Sequence, residues 1–350
     1  MRIVVNDIAA SKGGAMTVLK DFYSCIKEND KENEWIFLLG DNYLEETENI
    51  KVITLPEIKK SGLKKLKFDF FTGKKFIKKL NPDVVFSMQN VITFGLKVPQ
   101  VIYMHQSIPV QSVKRFSFFK GSERKLAFIQ YIIGSIIKKS VKNAELTIVQ
   151  TKWMKEAVLK KCKISEDRIV NILPTVKDVA ALVKREDFDK KRFFYPTAPA
   201  LYKNNAAVFA ADKILCEEGV EHEIVLTLPE EKSCGSVKCV GRLPYEQVLT
   251  EYTKSTLVFP SYIETVGLPM AEAREVGGLV IASDCPFSRE VLEGYENAYF
   301  FRYDDHKALA LLMKQVIDGE ITVKEAWAEK SQQENSWKEV MEKVISVGTK

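Results

Sequence analysis

A chain of 350 residues with 46% apolar and 28% charged side chains is long enough for two domains and too apolar to be mainly disordered. Its longest apolar run, 127–137, is broken by Gln130, Gly134 and Ser135 and is too short to span a bilayer; Met1-Arg2 leads directly into Ile3-Val4-Val5, so no secretory leader is expected. The net charge of +5 is divided unevenly: residues 1–175 hold 30 Lys/Arg against 18 Asp/Glu, a net +12, and residues 176–350 hold 22 against 29, a net −7.

Along the chain, short apolar runs alternate with helical periodicity. Strand 3–6 is followed by the Gly13-Gly14 turn and a helix over about 15–27. Strands are expected at 35–39 and 52–55. Leu63, Leu66, Phe70, Ile77 and Leu80 then recur at helical spacing until Pro82. Continuous apolar strands at 84–88 and 101–104, a helix over 122–141, a strand at 146–150 and a helix begun by Thr151 complete the first half. In the second half, strands are expected at 193–195, 223–228, 238–240, 257–260, 279–283 and 298–301. Helices fall near 204–218, 245–254, 268–277, 288–293 and 305–318, with one or two more in 322–346. This alternation implies an α/β fold with two doubly wound, Rossmann-like parallel sheets: one domain over 1–175 and one over 190–320, with 322–346 packing back on the first. Such domains bind ligands at the carboxyl ends of their strands, in a cleft.

Six cysteines are scattered, Cys234 and Cys239 being the only close pair, and the three histidines (His105, His222, His306) do not cluster. Buried thiols in a reducing cytoplasm are expected, with no zinc site and no multi-histidine centre.

The densest chemical signal lies at 259–273. The apolar strand ends at Pro260, a loop carries Glu264, and Pro269 opens the next helix, where its missing N–H costs nothing. Glu272 lies about one turn in, and the N–H groups of Thr265, Val266, Gly267 and Leu268 offer an anion site at the helix start, suited to a diphosphate. The segment resembles the Glu-x7-Glu motif of retaining glycosyltransferases of the GT-B fold, family 4 (group 1), of the bacterial polysaccharide type. The similarity continues through Glu275-Val-Gly277-Gly278 to Asp284. Elsewhere it includes Gly13-Gly14-Ala-Met-Thr-Val-Leu after the first strand, Tyr103-Met-His105-Gln-Ser-Ile-Pro, and Tyr195-Pro-Thr-Ala-Pro-Ala-Leu-Tyr-Lys203-Asn204-Asn205.

The resemblance implies a GT-B enzyme that moves a sugar from a nucleotide-sugar donor to a glycan acceptor with retained anomeric configuration. It implies catalytic roles for His105 and Glu264, both at the donor sugar. Donor binding falls to Gly13, Gly14, Lys203, Arg242, the amides of 265–268 and Glu272, the last at the ribose. No metal and no cofactor are expected. Where the family carries an arginine beside its diphosphate lysine, this chain has Ala198 or a neighbour, so Lys203 stands without that partner. Asp187-Phe-Asp189 spells the Asp-x-Asp of metal-dependent transferases but sits in a charged linker, where it reads as solvated surface.

The excess positive charge is concentrated. Residues 59–79, bounded by Lys59 and Lys79, hold nine lysines against one acid, Asp69. Residues 114–139, bounded by Lys114 and Lys139, set further cations around Phe116, Phe118 and Phe119. Two basic amphipathic segments fit an anionic membrane surface, and no nucleic-acid motif accompanies them. The expected setting is the cytoplasmic face of the cell membrane, with a lipid-linked glycan acceptor in surface-polysaccharide assembly (capsule, O-antigen or exopolysaccharide). Two alternatives stay open: a GT-B nucleotide-sugar-binding scaffold without catalysis, and another GT-B enzyme such as a sugar-nucleotide epimerase.

Overall fold

The structure, a computed structural model, describes residues 1–10, 14–174, 179, 183, 186–324 and 336–349. The chain divides into two compact units, one of residues 1–175 with 333–350 and one of residues 176–332.

The first unit is built on a seven-stranded sheet: β1 (Arg2–Asp7), β2 (Glu34–Leu39), β3 (Ile50–Thr54), β4 (Val84–Ser87), β5 (Gln100–Met104), β6 (Leu146–Val149) and β7 (Ile169–Asn171). All neighbours pair in parallel, in the order β3-β2-β1-β4-β5-β6-β7. Because helices cover both faces, the central strands are apolar throughout. Ile3, Val4 and Val5, and Val84, Val85 and Phe86, are all fully buried. One face is sealed by Gly14–Asn29 and by the last helix, Ser336–Gly348, which returns to this sheet. There Phe22 packs edge-on against Trp35 (5.8 Å) and Phe86 (5.0 Å), and Trp337 lies 5.2 Å from Tyr103.

The second unit holds a six-stranded parallel sheet: β8 (Arg192–Tyr195), β9 (Glu223–Leu226), β10 (Val237–Cys239), β11 (Thr256–Phe259), β12 (Val280–Ser283) and β13 (Ala298–Phe301). Its order is β10-β9-β8-β11-β12-β13. Arg192 fastens β8 to the helix Tyr245–Lys254 by two 3.0 Å bonds to the buried Glu251. In each sheet the order reverses beside the first strand, β1 against β4 and β8 against β11. The carboxyl ends of those strands are therefore the switch points at which such folds bind ligands.

The strand and helix expectations hold to within a few residues, with three corrections. The helix expected through 63–80 is interrupted by a π-helical turn at Phe68–Thr72, and the one expected over 122–141 runs from Arg124 to Asn143 with a π turn at Phe128–Ile133. Apolar spacing cannot distinguish a π turn from the α-helix around it. The edge strand β7 was not expected, because three residues, Ile169–Asn171, are too few to display a period. Only Ser336–Gly348 of the stretch 322–346 is described as a helix; residues 325–335 lie outside the described residues.

Candidate active site

In the second unit, the functional side chains stand on the loops that leave β8 and β11. After β8 the chain forms a short 3-10 turn, Leu201–Lys203, and then enters the helix Asn205–Glu217 through Asn204 at φ +56°. Asparagine tolerates that left-handed backbone, and its amide fixes the junction by donating to the carbonyls of Pro260 (3.2 Å) and Tyr303 (2.7 Å). Tyr195, fully buried, donates to the Lys203 carbonyl at 2.9 Å. The lysine is thereby aimed at the loop after β11. Its Nζ donates to Glu264 Oε1 at 2.6 Å and lies 5.7 Å from the centre of the Phe259 ring. Ser261 Oγ sits 2.7 Å from the same carboxylate oxygen. Both partners of the ion pair are largely shielded, at 19% and 16% side-chain exposure, so the attraction is screened less than at a surface.

Glu272 belongs to a separate cluster. It stands on the helix Leu268–Glu275 and accepts from two tyrosines of the helix Tyr245–Lys254: Tyr245 at Oε1 and Tyr252 at Oε2, each at 3.0 Å. Burial raises its pKa, and the two hydroxyls oppose that shift. The Tyr252 hydroxyl, itself fully buried and beside this carboxylate, is held well above the ordinary tyrosine range. Between the two clusters, Gly267 takes φ +81° to start the helix, and a Cβ there would lie 2.6 Å from Met270 Cε. The Met270 N–H donates to the Gly267 carbonyl at 2.9 Å, and Pro269 has no N–H to satisfy.

The loop after β8 carries no cation before Lys203. Thr197, Asn205 and Thr227 stitch it together instead: Thr197 Oγ1 donates to Asn205 Oδ1 (2.8 Å) and Thr227 Oγ1 accepts from the Thr197 N–H (2.7 Å). Ala198 is exposed. Arg242 is also exposed, and no hydrogen bond or ion pair joins it to Lys203, Glu264 or Glu272 among the described residues. Asp187 and Asp189 are exposed, ahead of β8.

In the first unit, Gly13 lies outside the described residues and Gly14 is the first residue of the helix Gly14–Asn29. His105 follows β5 directly. Its backbone N–H donates to Asn90 Oδ1 at 2.8 Å, which leaves the Asn90 amide nitrogen facing His105 Nε2 at 3.2 Å. That ring nitrogen must therefore accept. Burial pushes the His105 pKa down to about 4, so the ring is neutral at pH 7 and carries its proton on Nδ1. Nδ1 is buried without a partner among the described residues.

The neighbouring strand ends hold polar groups that sequence reasoning missed. Asn6, fully buried at the end of β1, has neither amide atom bonded, and the Gln89 carbonyl oxygen after β4 is likewise unpartnered. Burial raises the Asp7 pKa to about 7, against the pull of Lys65 and Lys59. The available signal was Asn-Asp terminating the apolar run Ile3-Val4-Val5. Tyr245 and Tyr252 gave no comparable signal, because their importance rests on a contact between helices.

Residues 227–334, which include Glu264 and Glu272, match the family described as glycosyl transferases group 1. Over those residues the chain is similar to group 1 glycosyl transferases. No curated protein matches by sequence. Solved structures place the whole chain in the GT-B fold. The lipopolysaccharide outer core galactosyltransferase WaaB is 16% identical with a TM-score of 0.67, covering 99% of both chains. A sucrose-phosphate synthase from Thermosynechococcus elongatus is 15% identical with a TM-score of 0.68, covering 99% of this chain and 96% of its own. Anabaena HepE in complex with UDP and glucose is 15% identical with a TM-score of 0.66, covering 99% of both. TarM is also similar, at 15% identity and a TM-score of 0.58, although the match covers only 57% of its chain. At these identities the likeness establishes the fold. Glu264 lies within the matched residues and Lys203 before them; the two meet at the β8–β11 switch point.

Proposed function

We propose that the chain is a retaining glycosyltransferase that takes its sugar from a nucleoside-diphosphate donor without a metal. The observation that carries this reading is the 2.6 Å pairing of Lys203 with Glu264 at the carboxyl ends of β8 and β11, Glu264 lying within the residues that match the group 1 family. A cation and the start of the helix Leu268–Glu275 supply positive potential for a diphosphate, and Glu272, held by two tyrosines, offers a fixed carboxylate to ribose hydroxyls. Glu264 faces the sugar. Lys203, shared between Glu264 and the diphosphate, stabilises the charge that develops as the bond from the anomeric carbon to the phosphate oxygen breaks. The acceptor oxygen bonds to the same face of that carbon, and its proton leaves with the diphosphate. The transition state carries oxocarbenium character, as in glycoside hydrolysis. In the first unit, His105 Nδ1–H, preset by Asn90, is the side-chain donor on offer to a substrate.

The acceptor is a glycan, lipid-linked and presented at the cytoplasmic face of the membrane, as in bacterial surface-polysaccharide assembly. Support comes from the first unit, where the two basic segments adjoin. Phe94 stacks on Phe70 of one (4.4 Å between ring centres) and lies under Lys139 of the other (5.4 Å). Within these two lysine-rich segments Leu63, Phe71 and Phe119 are 80%, 69% and 95% exposed. Apolar tips among cations suit an anionic interface. No described helix is long and apolar enough to cross a membrane.

The test is turnover. Purified protein, membrane extract and each nucleotide sugar in turn are incubated with chelator, and free nucleoside diphosphate is measured. One donor is expected to give release that Glu264→Gln abolishes. Nucleotide binding without release from any donor would support a scaffold instead.

A further inference from the structure

Among the described residues, one group of three side chains is arranged to hold a metal ion, and it lies away from the proposed donor site. Asp212 and Cys216 stand one turn apart on the helix Asn205–Glu217, and His222 lies just beyond the helix end. One donor atom from each, a carboxylate oxygen, Sγ and a ring nitrogen, falls within 4.8 Å of the others. His222 Nε2 is 2.9 Å from Asp212 Oδ1, and Cys216 Sγ is 3.8 Å from the same oxygen. Tetrahedral zinc with bonds of roughly 2.0 Å to N or O and 2.3 Å to S separates its ligand atoms by roughly 3.3–3.7 Å. The two separations from Asp212 Oδ1 are therefore within about half an ångström of that spacing.

The hydrogen bonding of His222 fixes which ring nitrogen faces the group. Its Nδ1 lies 2.8 Å from the Val220 carbonyl, which can only accept, so Nδ1 carries a hydrogen. Nε2 then faces Asp212 Oδ1 at 2.9 Å. A metal ion fits the carbonyl-held Nδ1–H, the arrangement in which a ligating histidine is normally fixed. The surroundings are built closely around Asp212. Gly235, at φ +61°, brings its backbone so near that a Cβ would lie 2.5 Å from Oδ2, and the Ser236 N–H donates to Oδ1 at 3.3 Å. Ser236 Oγ, 3.5 Å from Cys216 Sγ, leaves a hydroxyl beside the open side of the group. The His222 side chain is fully buried while Cys216 is exposed, so an ion has a route in from solvent.

We propose that Asp212, Cys216 and His222 form a structural zinc site, with water or Ser236 in the fourth position. It clamps the end of the helix to the turn before β9. Binding displaces the proton on Nε2 and the thiol proton of Cys216, and both leave to solvent. Asp212 is seven residues, about 10 Å of helix, beyond the Asn205 end that carries Lys203, so the metal takes no part in sugar transfer. The cysteine spacing alone did not indicate it, since only one of the three ligands is a cysteine.

The test uses the full chain, stripped with chelator and dialysed against limiting Zn2+, with bound metal counted by elemental analysis. Co2+ loading is followed in parallel through its thiolate charge-transfer absorption. The wild type is expected to bind one equivalent, show the thiolate band and unfold at a higher temperature with metal. Cys216→Ser, at an exposed position that should not disturb folding, is expected to lose the band and at least the roughly 10–100-fold in affinity that disturbing a metal site's supporting shell costs. Cys234→Ser, at the other exposed cysteine, is expected to keep both. No binding by the wild type, an unchanged Cys216→Ser, or equal loss in Cys234→Ser would each overturn the proposal. Transfer activity is expected to be the same with and without the metal, so either outcome here leaves the reading of Lys203 and Glu264 to its own test.

Discussion

The two switch points of this molecule are finished to different degrees. At β8 and β11, the chain supplies partners for its own polar groups: Lys203 and Ser261 for Glu264, Tyr245 and Tyr252 for Glu272. At β1, β4 and β5, Asn6, the Gln89 carbonyl oxygen and His105 Nδ1 are buried with no partner among the described residues. A buried polar group without a hydrogen bond costs about 1–3 kcal/mol, so such groups persist where a ligand completes them. The second unit is preorganised for one constant ligand, whereas the first holds open positions. That contrast is consistent with the proposed donor site in the second unit and acceptor side in the first.

The largest effect should come from the paired side. Glu264→Gln keeps the shape but removes the charge that Lys203 meets, and nucleotide release is expected to fall about 100–1,000-fold, roughly 3–4 kcal/mol. A loss confined to KM would instead make Glu264 a binding group only. Next is the unpaired side, read through pH. The folded state keeps His105 neutral down to about pH 4, whereas the unfolded chain protonates it near 6.5. Stability attributable to neutral His105 is therefore intact above about pH 6.5 and lost as pH falls toward 4, by up to about 3 kcal/mol. Subtracting His105→Gln from wild-type unfolding curves across that range isolates the difference; a flat difference would mean the ring is hydrated. Tyr252→Phe takes one of two donors from Glu272 and should weaken nucleotide binding by about 1.5–2 kcal/mol in calorimetry, with catalysis of bound donor little changed. Smallest per residue are the surface lysines. Each change to glutamate among Lys74, Lys75 and Lys78 should cost roughly 1 kcal/mol or somewhat more of binding to anionic vesicles while nucleotide affinity stays fixed. Loss of both together would undo the separation of roles.

What was legible in the sequence follows the same contrast. The strand–helix alternation was readable because buried parallel strands are continuous apolar runs, as in Val84-Val85-Phe86. Lys203, Glu264 and Glu272 were readable because they lie in two short segments of recognisable pattern. The groups that hold them were not. Tyr252 reaches Glu272 from 20 positions away and Asn90 fixes His105 from 15 positions away, contacts that only the packed chain creates. The π turns at Phe68–Thr72 and Phe128–Ile133 escaped because one inserted residue leaves hydrophobic spacing almost unchanged.

The most direct measurement is hydrogen–deuterium exchange of the full chain with and without free nucleoside diphosphate. Protection is predicted at 201–205, 245–252 and 261–272, with 4–7 and 88–106 unchanged. Protection of the β1 and β5 ends without change around Lys203 and Glu264 would contradict the assignment of the donor to the second unit.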